Sequence, residues 1–585
     1  MDIIYVIKKF NNILSHHQKI RIVELVFLMV IGGFMEMISV SLIVPFVKAI
    51  MEPDRMMSNS FIISICKLFG IQSHRTLLVL LALAMSVIYI LKNVFLLLQM
   101  LVQNRFVYNN RFSTQRLLLR SYLLRPYEYF LDVKSGDVLQ VINRDTETVF
   151  SLLSLLLTFV SESIVSVSLI ITIFLISPFI TLCVASLMLI MIGVIQIIIR
   201  PVLSKMGSES RIAGAGMQQW LLQAVQGIKE LKITRSENYF ENRFGEVGKK
   251  FVKATYIHTT LSLVPRFLIE AVSMASFFAI IAFQIYKGTA LETLFPILSG
   301  VAMAAMRLLP SVNRITHSLA TISYGIPSID NMSDRLASIS RSSDYYDVSK
   351  GISLKSNGMI DGLDEGILMN HVDYKYPKGT QNVLTNACLE IKRGESVGII
   401  GTSGSGKTTA VDILLGLLTP IKGGVLIDKK NINDDMGGWL KMLGYIPQNI
   451  FMLDDDIRSN VAFGVDKDEI NDVKIWNALR ESSLEDFVKQ LPEGLDTQLG
   501  ERGVRLSGGQ KQRIGIARAL YKDPDILFFD EATSALDNET EKAIMESIDS
   551  LQGNKTLVII AHRLSTIENC NHIFRVDNGC IIQER

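Results

Sequence analysis

A long stretch without charge is the feature that most constrains this chain. Residues 163–199 contain no Asp, Glu, Lys, Arg or His over 37 consecutive positions. A helix rises about 1.5 Å per residue, so about 20 apolar residues cross the hydrocarbon core of a bilayer. The stretch is therefore long enough for two membrane crossings that turn at Ser177-Pro178.

Other apolar stretches complete a predicted membrane domain. With residues 163–199 divided at the turn, the sequence predicts six membrane helices, at about residues 22–47, 76–102, 148–176, 179–199, 261–286 and 294–319. The connections 1–21, 103–149 and 200–255 hold 21 Lys and Arg residues, whereas those on the other side hold four. This excess predicts that both termini and both long connections are cytoplasmic. On the opposite side, Ser58–Gly70 is apolar but too short to span, which predicts an interfacial helix or a plain loop helix.

The composition changes after the membrane part and indicates three regions. Residues 1–330 form the predicted transmembrane domain, and residues 331–365, rich in Ser, Asp and Lys, predict a linker. Residues 366–585 alternate short apolar runs with helical patterns, which is typical of an α/β domain. The predicted fold is an all-α six-helix transmembrane domain, with helices extended into the cytoplasm, fused to a C-terminal α/β domain. The net charge of +2 argues against a nucleic acid partner, because such binding needs many basic contacts.

A phosphate-binding loop lies near the start of the α/β domain. GTSGSGKT, from Gly401 to Thr408, fits GxxxxGK[ST] and lies between an apolar strand and a helical pattern. In such a loop the backbone amides surround phosphates, Lys407 reaches the β- and γ-phosphates, and Thr408 offers a hydroxyl to Mg²⁺. We therefore expect the P-loop to bind ATP with Mg²⁺. The other expected ATP contacts are Thr402, Ser403, Gly404, Ser405, Gly406 and Thr409.

Two carboxylates end a later apolar strand, DILFFDE, from Asp525 to Glu531. One carboxylate at such a strand end can hold Mg²⁺, and the next can orient the water that attacks the γ-phosphate. We assign the metal to Asp530 and the general base to Glu531. A helix N-cap after a strand is the structural alternative, and it does not exclude the catalytic role.

The segment between these two motifs carries a specific resemblance. LSGGQ, from Leu506 to Gln510, precedes a basic helical segment and resembles the signature of ABC transporter ATPase domains; the whole stretch 370–585 is similar to such a P-loop ATPase domain. The resemblance implies further roles, with Tyr376 stacking on adenine and Gln448 in the Q-loop, near Mg²⁺ and the attacking water. It also implies that Ser534–Asp537 is the D-loop, with Asp537 at the ATP site, and that His562 is the switch histidine.

The chain carries one P-loop and one LSGGQ motif. The resemblance implies that the signature of one subunit closes on ATP held by the other, so we expect a homodimer with two composite sites; a heterodimer is the alternative. The signature residues expected at ATP are Ser507, Gly508, Gly509 and Gln510. Six spans ahead of the ATPase domain resemble a type I ABC exporter half-transporter. In that family, loop segments matching Pro126–Gln140 and Lys229–Phe240 contact the ATPase domains.

Charged residues inside the predicted spans indicate a cargo site. Charges in a membrane span are costly and usually face a cavity or a partner. Arg307 and Arg314 are seven residues apart, so they share a helix face, and no acidic residue lies between Leu294 and Asp330. A dimer doubles this pair, and such a set of arginines suits a phosphate or pyrophosphate. Snorkelling, or pairing with Glu36 or Glu162, is the structural alternative.

Two further cations lie in the predicted spans. Arg266 and Glu270 are spaced i, i+4 in the fifth span, so they either form an ion pair on one helix face or share in the cargo site. Lys92 lies in the second span and is a possible fourth cation.

The membrane sequences also resemble a particular group of exporters. VPRFLIE, from Val264 to Glu270, and RLLPSVNRI, from Arg307 to Ile315, resemble the lipid-linked oligosaccharide flippase of bacterial protein N-glycosylation, the PglK type. This implies a polyprenyl-pyrophosphate-linked oligosaccharide as cargo, membrane lipid as partner, and residence in the bacterial inner membrane. It implies that the arginines named above and Lys92 receive the pyrophosphate. A lipid A-type or multidrug exporter is the alternative, and an ATP-gated channel or regulatory protein is disfavoured by the intact Glu531 and His562.

Overall fold

The chain folds into two compact units. One unit comprises Met1–Arg125 and Val133–Ser349, and the other comprises Pro126–Asp132 and Lys350–Arg585. The computed structural model describes residues 2–42, 46, 50, 74–176, 178–286, 291–341, 358–530, 542, 545–546, 548–561 and 564–585. The expected interfacial segment Ser58–Gly70 and part of the predicted linker lie outside these residues.

The first unit consists of helices in its described part. The helices up to residue 341 are α1 (Asp2–Ile13), α2 (His16–Ser41), α3 (His74–Leu123), α4 (Tyr127–Asp132), α5 (Ser135–Leu139), a π-helix (Gln140–Asp145), α6 (Thr146–Ile176), α7 (Pro178–Gln226), α8 (Ile228–Thr234), α9 (Glu237–Tyr286) and α10 (Leu291–Arg341). All of them belong to the first unit except α4, which belongs to the second. The six predicted spans fall on α2, α3, α6, α7, α9 and α10, which confirms the expected helical membrane domain.

The long helices extend beyond the predicted spans. α3 has 50 residues, which is about 75 Å of helix against a hydrocarbon core of about 30 Å. α7, α9 and α10 have 49, 50 and 51 residues. The prediction that the membrane helices continue past the bilayer is therefore confirmed. The expected turn lies between α6, which ends at Ile176, and α7, which begins at Pro178.

Composition and exposure of the helices fit a bilayer. Within the described residues, three helical segments have the length and apolar composition to cross a membrane, namely His16–Ser39, Arg75–Leu123 and Ser135–Ile171. Large apolar side chains such as Phe27 on α2 and Ile90 on α3 are exposed. Exposed apolar surface of this kind is unfavourable in water and is covered by lipid in a membrane.

Close helix crossings hold this unit together. α7 and α10 cross at Gly207, where an added Cβ would lie 1.9 Å from the carbonyl oxygen of Tyr324. Only glycine permits this approach, because any side chain would collide with the backbone of α10. A small apolar cluster joins α6, α9 and α10 through Leu169, Ile269, Leu308 and Val312.

The second unit contains two sheets. Its strands are β1 (Gly366–Tyr374), β2 (Leu384–Lys392), β3 (Ser396–Ile400), β4 (Lys422–Ile427), β5 (Lys430–Asn431), β6 (Leu443–Ile446), β7 (Ile526–Asp530), β8 (Thr556–Ile560), β9 (His572–Asp577) and β10 (Cys580–Gln583). Its named helices after α10 are α11 (Lys407–Leu414), α12 (Met436–Lys441), α13 (Ile457–Val461), α14 (Asp472–Glu481), α15 (Glu485–Gln490) and α16 (Gly508–Leu520).

Strand order places the carboxyl ends of the central strands together. One sheet has the antiparallel order β2-β1-β4-β5, and the other has the order β10-β9-β3-β8-β7-β6. In the second sheet β9, β3, β8, β7 and β6 are parallel, and β10 is antiparallel to β9. The loops that follow β3, β6, β7 and β8 therefore emerge at one edge, which is where α/β sheets bind ligands.

Two apolar cores lie in this unit. One core surrounds Trp439 and Phe528 and lies between the two sheets, whereas the other contains Ile514 and Leu479 among the helices α13 to α16. Ile360 and Leu363, which the composition placed in a linker, are buried in the first core. The helix α10 also continues to Arg341, so helix occupies the start of the expected linker 331–365. Polar composition did not reveal these elements, because only a few apolar residues anchor them.

Candidate functional site

The P-loop joins β3 to α11 and requires glycine in the left-handed region of backbone space. Gly404 and Gly406 have φ values of +82° and +108°. At Gly401 an added Cβ would lie 2.4 Å from the carbonyl oxygen of Val576 on β9. These constraints fold the loop tightly over the amino end of α11, so that its backbone amides and the helix dipole favour an anion.

Polar side chains in this loop fit a bound phosphate. The buried Lys407 donates from Nζ to the carbonyl oxygens of Gly401 and Thr402 at 2.9 and 3.0 Å. The hydroxyl of Ser405 is buried and has no hydrogen-bond partner among the described residues. An unpartnered buried hydroxyl is costly, so a ligand oxygen at this position is favourable. The hydroxyl-bearing Thr408 is exposed next to Lys407.

Tyr376 lies beside the P-loop helix, as an adenine-stacking residue must. Its hydroxyl and that of Thr409 on α11 are 3.0 Å apart. The ring of Tyr374 packs edge-on against it with the centroids 5.2 Å apart. These contacts fix the ring near the loop. Because the Thr409 hydroxyl contacts Tyr376, we expect Thr409 to contact ATP through its backbone.

Acidic and amide side chains reach the same sheet edge. Asp530 is the last residue of β7, and Tyr445 on β6 donates a hydrogen bond to its Oδ2 at 3.2 Å. Asp412 lies on α11, where burial and the charge of Asp530 raise its pKa to about 6. Gln448 follows β6 by two residues and is exposed. The structure thus places Asp530, Gln448 and the P-loop at the same edge of one sheet, and it adds Tyr445, which no sequence motif indicated.

Three expected site residues lie outside the described part of the chain. Glu531 directly follows Asp530, His562 follows the end of β8 by two residues, and Asp537 lies in the segment after β7. Their neighbours on β7 and β8 place the chain at the carboxyl edge of the sheet. The roles assigned to these three residues stay predictions.

The LSGGQ motif forms the exposed amino end of α16. Ser507 caps the helix: its Oγ accepts from the amide of Gln510 at 3.3 Å, and its own amide donates to Gln510 Oε1 at 2.9 Å. The side chain of Gln510 is thus occupied by the cap. Ser507 and Gly508 are exposed, and an added Cβ at Gly508 would meet nothing within 4 Å. The helix end is therefore open to an anion.

A partly buried arginine that sequence motifs did not indicate connects this helix to the segment after Gln448. Arg518 on α16 donates to the carbonyl oxygens of Phe451 and Asn460 at 2.8 and 2.9 Å. Its guanidinium also lies over the ring of Phe463, 4.6 Å from the centroid. Burial lowers the pKa of Arg518 to about 10. The signature helix and the Q-loop segment are thereby held as one piece.

The first long connection contributes a helix to the ATPase unit. Glu128 on α4 accepts hydrogen bonds from the Tyr374 hydroxyl at 3.3 Å and from the Thr419 amide at 3.2 Å. Lys378 forms an ion pair with Asp132 at 2.9 Å. Burial and the carboxylate of Glu128 raise the pKa of Tyr374.

Two of the four membrane cations have acidic partners. Lys92 Nζ lies 2.7 Å from Glu36 Oε2, and both side chains are buried. Arg314 lies 2.9 Å from Glu162 Oε1, although 59% of the Arg314 side chain is exposed. The Arg314–Glu162 pair is the structural alternative that the sequence offered, whereas the pairing of Glu36 with Lys92 was not predicted.

The other two cations of the predicted spans are Arg266 and Arg307. Arg266 is exposed on α9 and forms no ion pair with any described residue, so the Arg266–Glu270 pair that the spacing allowed is not formed. Arg307 lies on α10, and its side chain is outside the described set.

Two family models match this chain. The one described as ABC transporter matches residues 384–534, and the one described as ABC transporter transmembrane region matches residues 22–291. Together they cover more than two thirds of the chain.

Relatives and a solved structure agree with these matches. The chain is 27% identical to an ATP-dependent lipid A-core flippase of Cupriavidus pinatubonensis over 83% of this chain and 80% of the relative. It is 31% identical to YgaD of Bacillus subtilis, named as a multidrug export ATP-binding/permease protein, over 65% of this chain and 64% of that relative. A bacterial Atm1-family ABC exporter with ATP bound matches with a TM-score of 0.74 and 22% identity, over 96% of this chain and 94% of that one. This last likeness shows the fold.

Proposed function

This chain is an ABC exporter half-transporter with one transmembrane and one ATPase domain, and from that premise we propose that it flips a polyprenyl-pyrophosphate-linked oligosaccharide. Its ATPase domain couples ATP hydrolysis to transport. The cargo passes from the inner to the outer leaflet of a bacterial inner membrane, with both termini cytoplasmic. Relatives named as lipid A-core flippases support a lipid cargo.

The observation that carries the proposal is an arginine in the membrane domain that forms no ion pair with any described residue. Arg266 lies in the predicted fifth span without an ion-pair partner among the described residues. An unpaired cation there costs about 2.5–3.5 kcal/mol on insertion scales, so an anionic ligand is favoured. The seven-residue spacing predicts that Arg307 and Arg314 share one face of α10, and the side chain of Arg314 remains largely exposed beside Glu162. Arginine forks match phosphate oxygens, and a pyrophosphate offers two phosphate groups.

Lys92 has a different role in this proposal. Lys92 is 3% exposed, and its ammonium is already neutralised by Glu36. We therefore assign the pyrophosphate to Arg266, Arg307 and Arg314, and we assign Lys92 to the packing of α2 against α3.

The ATP site requires a second copy of the chain. Ser507 and Gly508 are exposed at the amino end of α16, where the helix dipole and free amides favour the γ-phosphate of ATP held by another subunit. A homodimer closes two such sites by symmetry. Binding of ATP draws the two ATPase domains together, and hydrolysis releases them.

The chain's own residues can bind ATP and orient the attacking water. The P-loop amides, Lys407 and Ser405 hold the phosphates, while Thr408, Gln448 and Asp530 would hold Mg²⁺, which supplies charge compensation when bound. Glu531 accepts a proton from the attacking water, and His562 contacts the γ-phosphate. Part of this set meets at one sheet edge, and the unpartnered Ser405 hydroxyl fits a phosphate oxygen.

Contacts within the ATPase unit suggest how ATP binding moves the membrane helices. α4 is continuous in sequence with the cytoplasmic end of α3, and Glu128 and Asp132 on α4 bind Tyr374, Thr419 and Lys378. Movement of the ATPase domain therefore pulls on α4. We propose that α8 in the second connection performs the matching role.

Flipping assays on arginine variants test the proposal. Arg307→Ala and Arg314→Ala, reconstituted in vesicles with the glycolipid, should lose flipping and retain ATPase activity, and Arg266→Ala should do the same. Lys253→Ala is a matched control, because Lys253 is exposed on α9 outside the predicted span. Normal flipping by the Arg307 and Arg314 variants would remove the pyrophosphate role.

A multidrug exporter is the second candidate. Its support is the similarity to YgaD, which extends over just under two thirds of that protein. Drugs that stimulate the ATPase and compete with the glycolipid would favour this candidate.

A further inference from the structure

A cavity lies among the helices of the first unit, mostly outside the predicted spans. It has a volume of about 480 Å³ and lies entirely within the first unit, between the π-helix, α7, α9 and α10. Its size is within the range of ligand pockets, which is roughly 300–1,000 Å³. None of the membrane arginines and no part of the ATP site lines it.

The π-helix directs a glutamine into this cavity. The wide turn is stabilised by side chains, since Thr146 donates to the carbonyl oxygen of Val141 at 3.0 Å and Gln115 donates to that of Ile142 at 3.1 Å. π-Turns inside helices are frequent at functional sites. The amide of Gln140 lies against α7 at Gly214, where an added Cβ would be 3.4 Å from Gln140 Oε1.

Three lining residues carry polar atoms without partners. Gln140 is 5% exposed, and its Oε1 has no hydrogen bond among the described residues. The same holds for Gln218 Oε1 and His258 Nε2. The two amide oxygens accept hydrogen bonds, and the imidazole nitrogen accepts or donates according to its tautomer. Leaving such buried atoms unpaired is unfavourable, so hydroxyl groups of a ligand, which both donate and accept, are the groups that these atoms would bind.

The aromatic side chains and the charges that line the cavity further restrict the class of ligand that it can bind. The rings of His258 and Tyr324 stack with centroids 3.9 Å apart. Burial and the nearby His317 lower the pKa of His258 to about 4, so its ring is neutral at pH 7. Flat apolar ring faces beside neutral hydrogen-bonding groups suit the two faces of a sugar, which carries hydroxyls at its edge and C–H groups on its face.

Fixed charges at the cavity are largely compensated. Arg211 pairs with the buried Asp145 at 3.0 Å and with Asp137 at 3.6 Å. Asp145 also accepts from Ser328 and Asn331 on α10. Arg144, by contrast, lines the cavity, is exposed and forms no ion pair with a described residue. The interior therefore favours an uncharged hydroxyl-rich group, and Arg144 can bind a phosphate attached to it.

The distance of the cavity from the predicted membrane spans agrees with the sugars of a lipid head group. His258 precedes the predicted fifth span by three residues, and Gly207 follows the fourth by eight. At about 1.5 Å per residue, these positions lie about 5–12 Å beyond the spans on the expected cytoplasmic side, and Gln218, 19 residues after the fourth span, lies about 28 Å beyond it. The head-group layer is only about 5–8 Å thick, so the cavity extends past it to a depth that sugars attached to the head groups would reach.

We propose that this cavity binds a sugar of the glycolipid head group on the cytoplasmic side before transport. The inference rests on the proposed flippase function and adds a carbohydrate-reading site to it. The amide oxygens of Gln140 and Gln218 accept hydrogen bonds from sugar hydroxyls, His258 Nε2 forms a hydrogen bond with another hydroxyl, and the stacked rings contact the sugar face.

Two lipid probes test this site in full-length protein in nanodiscs. The probes are a polyprenyl pyrophosphate oligosaccharide and the same polyprenyl pyrophosphate without sugar, and the readout is the concentration for half-maximal ATPase stimulation. Gln140→Leu, Gln218→Leu and His258→Phe should each raise this concentration by about five- to tenfold for the glycosylated lipid and by less than about twofold for the bare lipid. Gln223→Leu, at an exposed position of α7, should change neither.

Several outcomes would refute the proposal that this cavity binds a sugar. Equal effects on both lipids, or no effect on either, exclude a sugar role and leave the flippase function standing. No stimulation of the wild type by either lipid refutes the proposed function and the site together. Free oligosaccharide that stimulates as well as the lipid contradicts a head-group site. Gln140→Leu should leave the unfolding temperature unchanged, because an unpartnered acceptor is lost; a clear fall would mean that Gln140 is structural.

Discussion

The buried ion pair between Lys92 and Glu36 should stabilise the packing of α2 against α3. The two charged atoms are 2.7 Å apart, and the residues are 3% and 8% exposed. At an effective dielectric constant of about 20, two unit charges at this distance attract by about 6 kcal/mol, which desolvation largely offsets. Removing one partner leaves a buried charge, and this costs about 3–5 kcal/mol.

A double-mutant cycle measures this coupling. We expect Lys92→Met and Glu36→Gln each to destabilise the protein by about 3–5 kcal/mol, and we expect the double variant to recover most of the loss. The unfolding temperature of the purified full-length chain in detergent, followed by tryptophan fluorescence, gives the order of the four proteins. The double variant should also flip the glycolipid at a rate near that of the wild type.

Two results would refute this reasoning. If Lys92→Met is as stable as the wild type, or the double variant loses the sum of both effects, the pair does not stabilise the fold. If the double variant is stable yet no longer flips, Lys92 belongs to the cargo site after all.

Four further predictions follow from the other contacts. Arg518→Ala should cost about 3 kcal/mol, because two charge-assisted hydrogen bonds to carbonyl oxygens are lost, and an unchanged unfolding temperature would contradict this. Tyr376→Ala should raise the KM for ATP by about three- to tenfold while Tyr376→Phe stays near wild type, provided that the ring stacks on adenine. Glu128→Ala should keep basal ATPase activity but move less cargo per ATP, and equal coupling would exclude α4 as the link. Since burial lowers the pKa of His258 from 6.5 to about 4, its neutral form stabilises the fold above pH 6.5. This contribution is lost as pH falls from about 6.5 to 4, so His258→Phe should reduce the loss of thermal stability over that range.

Local motifs made the ATPase site predictable. Glycines with positive φ, a lysine at a helix start and a serine cap act within a few residues of chain, so GTSGSGKT and LSGGQ carry their geometry in the sequence. The absence of charge from residues 163–199 likewise predicts the membrane crossings, because a helix needs about 20 apolar residues to cross the hydrocarbon core of a bilayer.

Contacts between segments that are distant in the sequence could not be predicted from local motifs. The spacing allowed Arg266 to pair with Glu270 on one helix, yet the ion pairs that form join different helices, Lys92 with Glu36 and Arg314 with Glu162. The π-helix depends on a hydrogen bond from Gln115, 27 positions away from Ile142 in the chain. Such features depend on helix packing, which no local pattern specifies.

Flipping in sealed vesicles tests the central claim most directly. Vesicles that contain the purified chain and a polyprenyl-pyrophosphate oligosaccharide should move the glycan to the opposite leaflet when ATP is supplied on the side of the ATPase domain. Lys407→Ala, which removes the buried P-loop amine, should abolish this movement. Flipping by the Lys407 variant at the wild-type rate, or no flipping by the wild type despite active ATP hydrolysis, would contradict an ATP-driven glycolipid flippase.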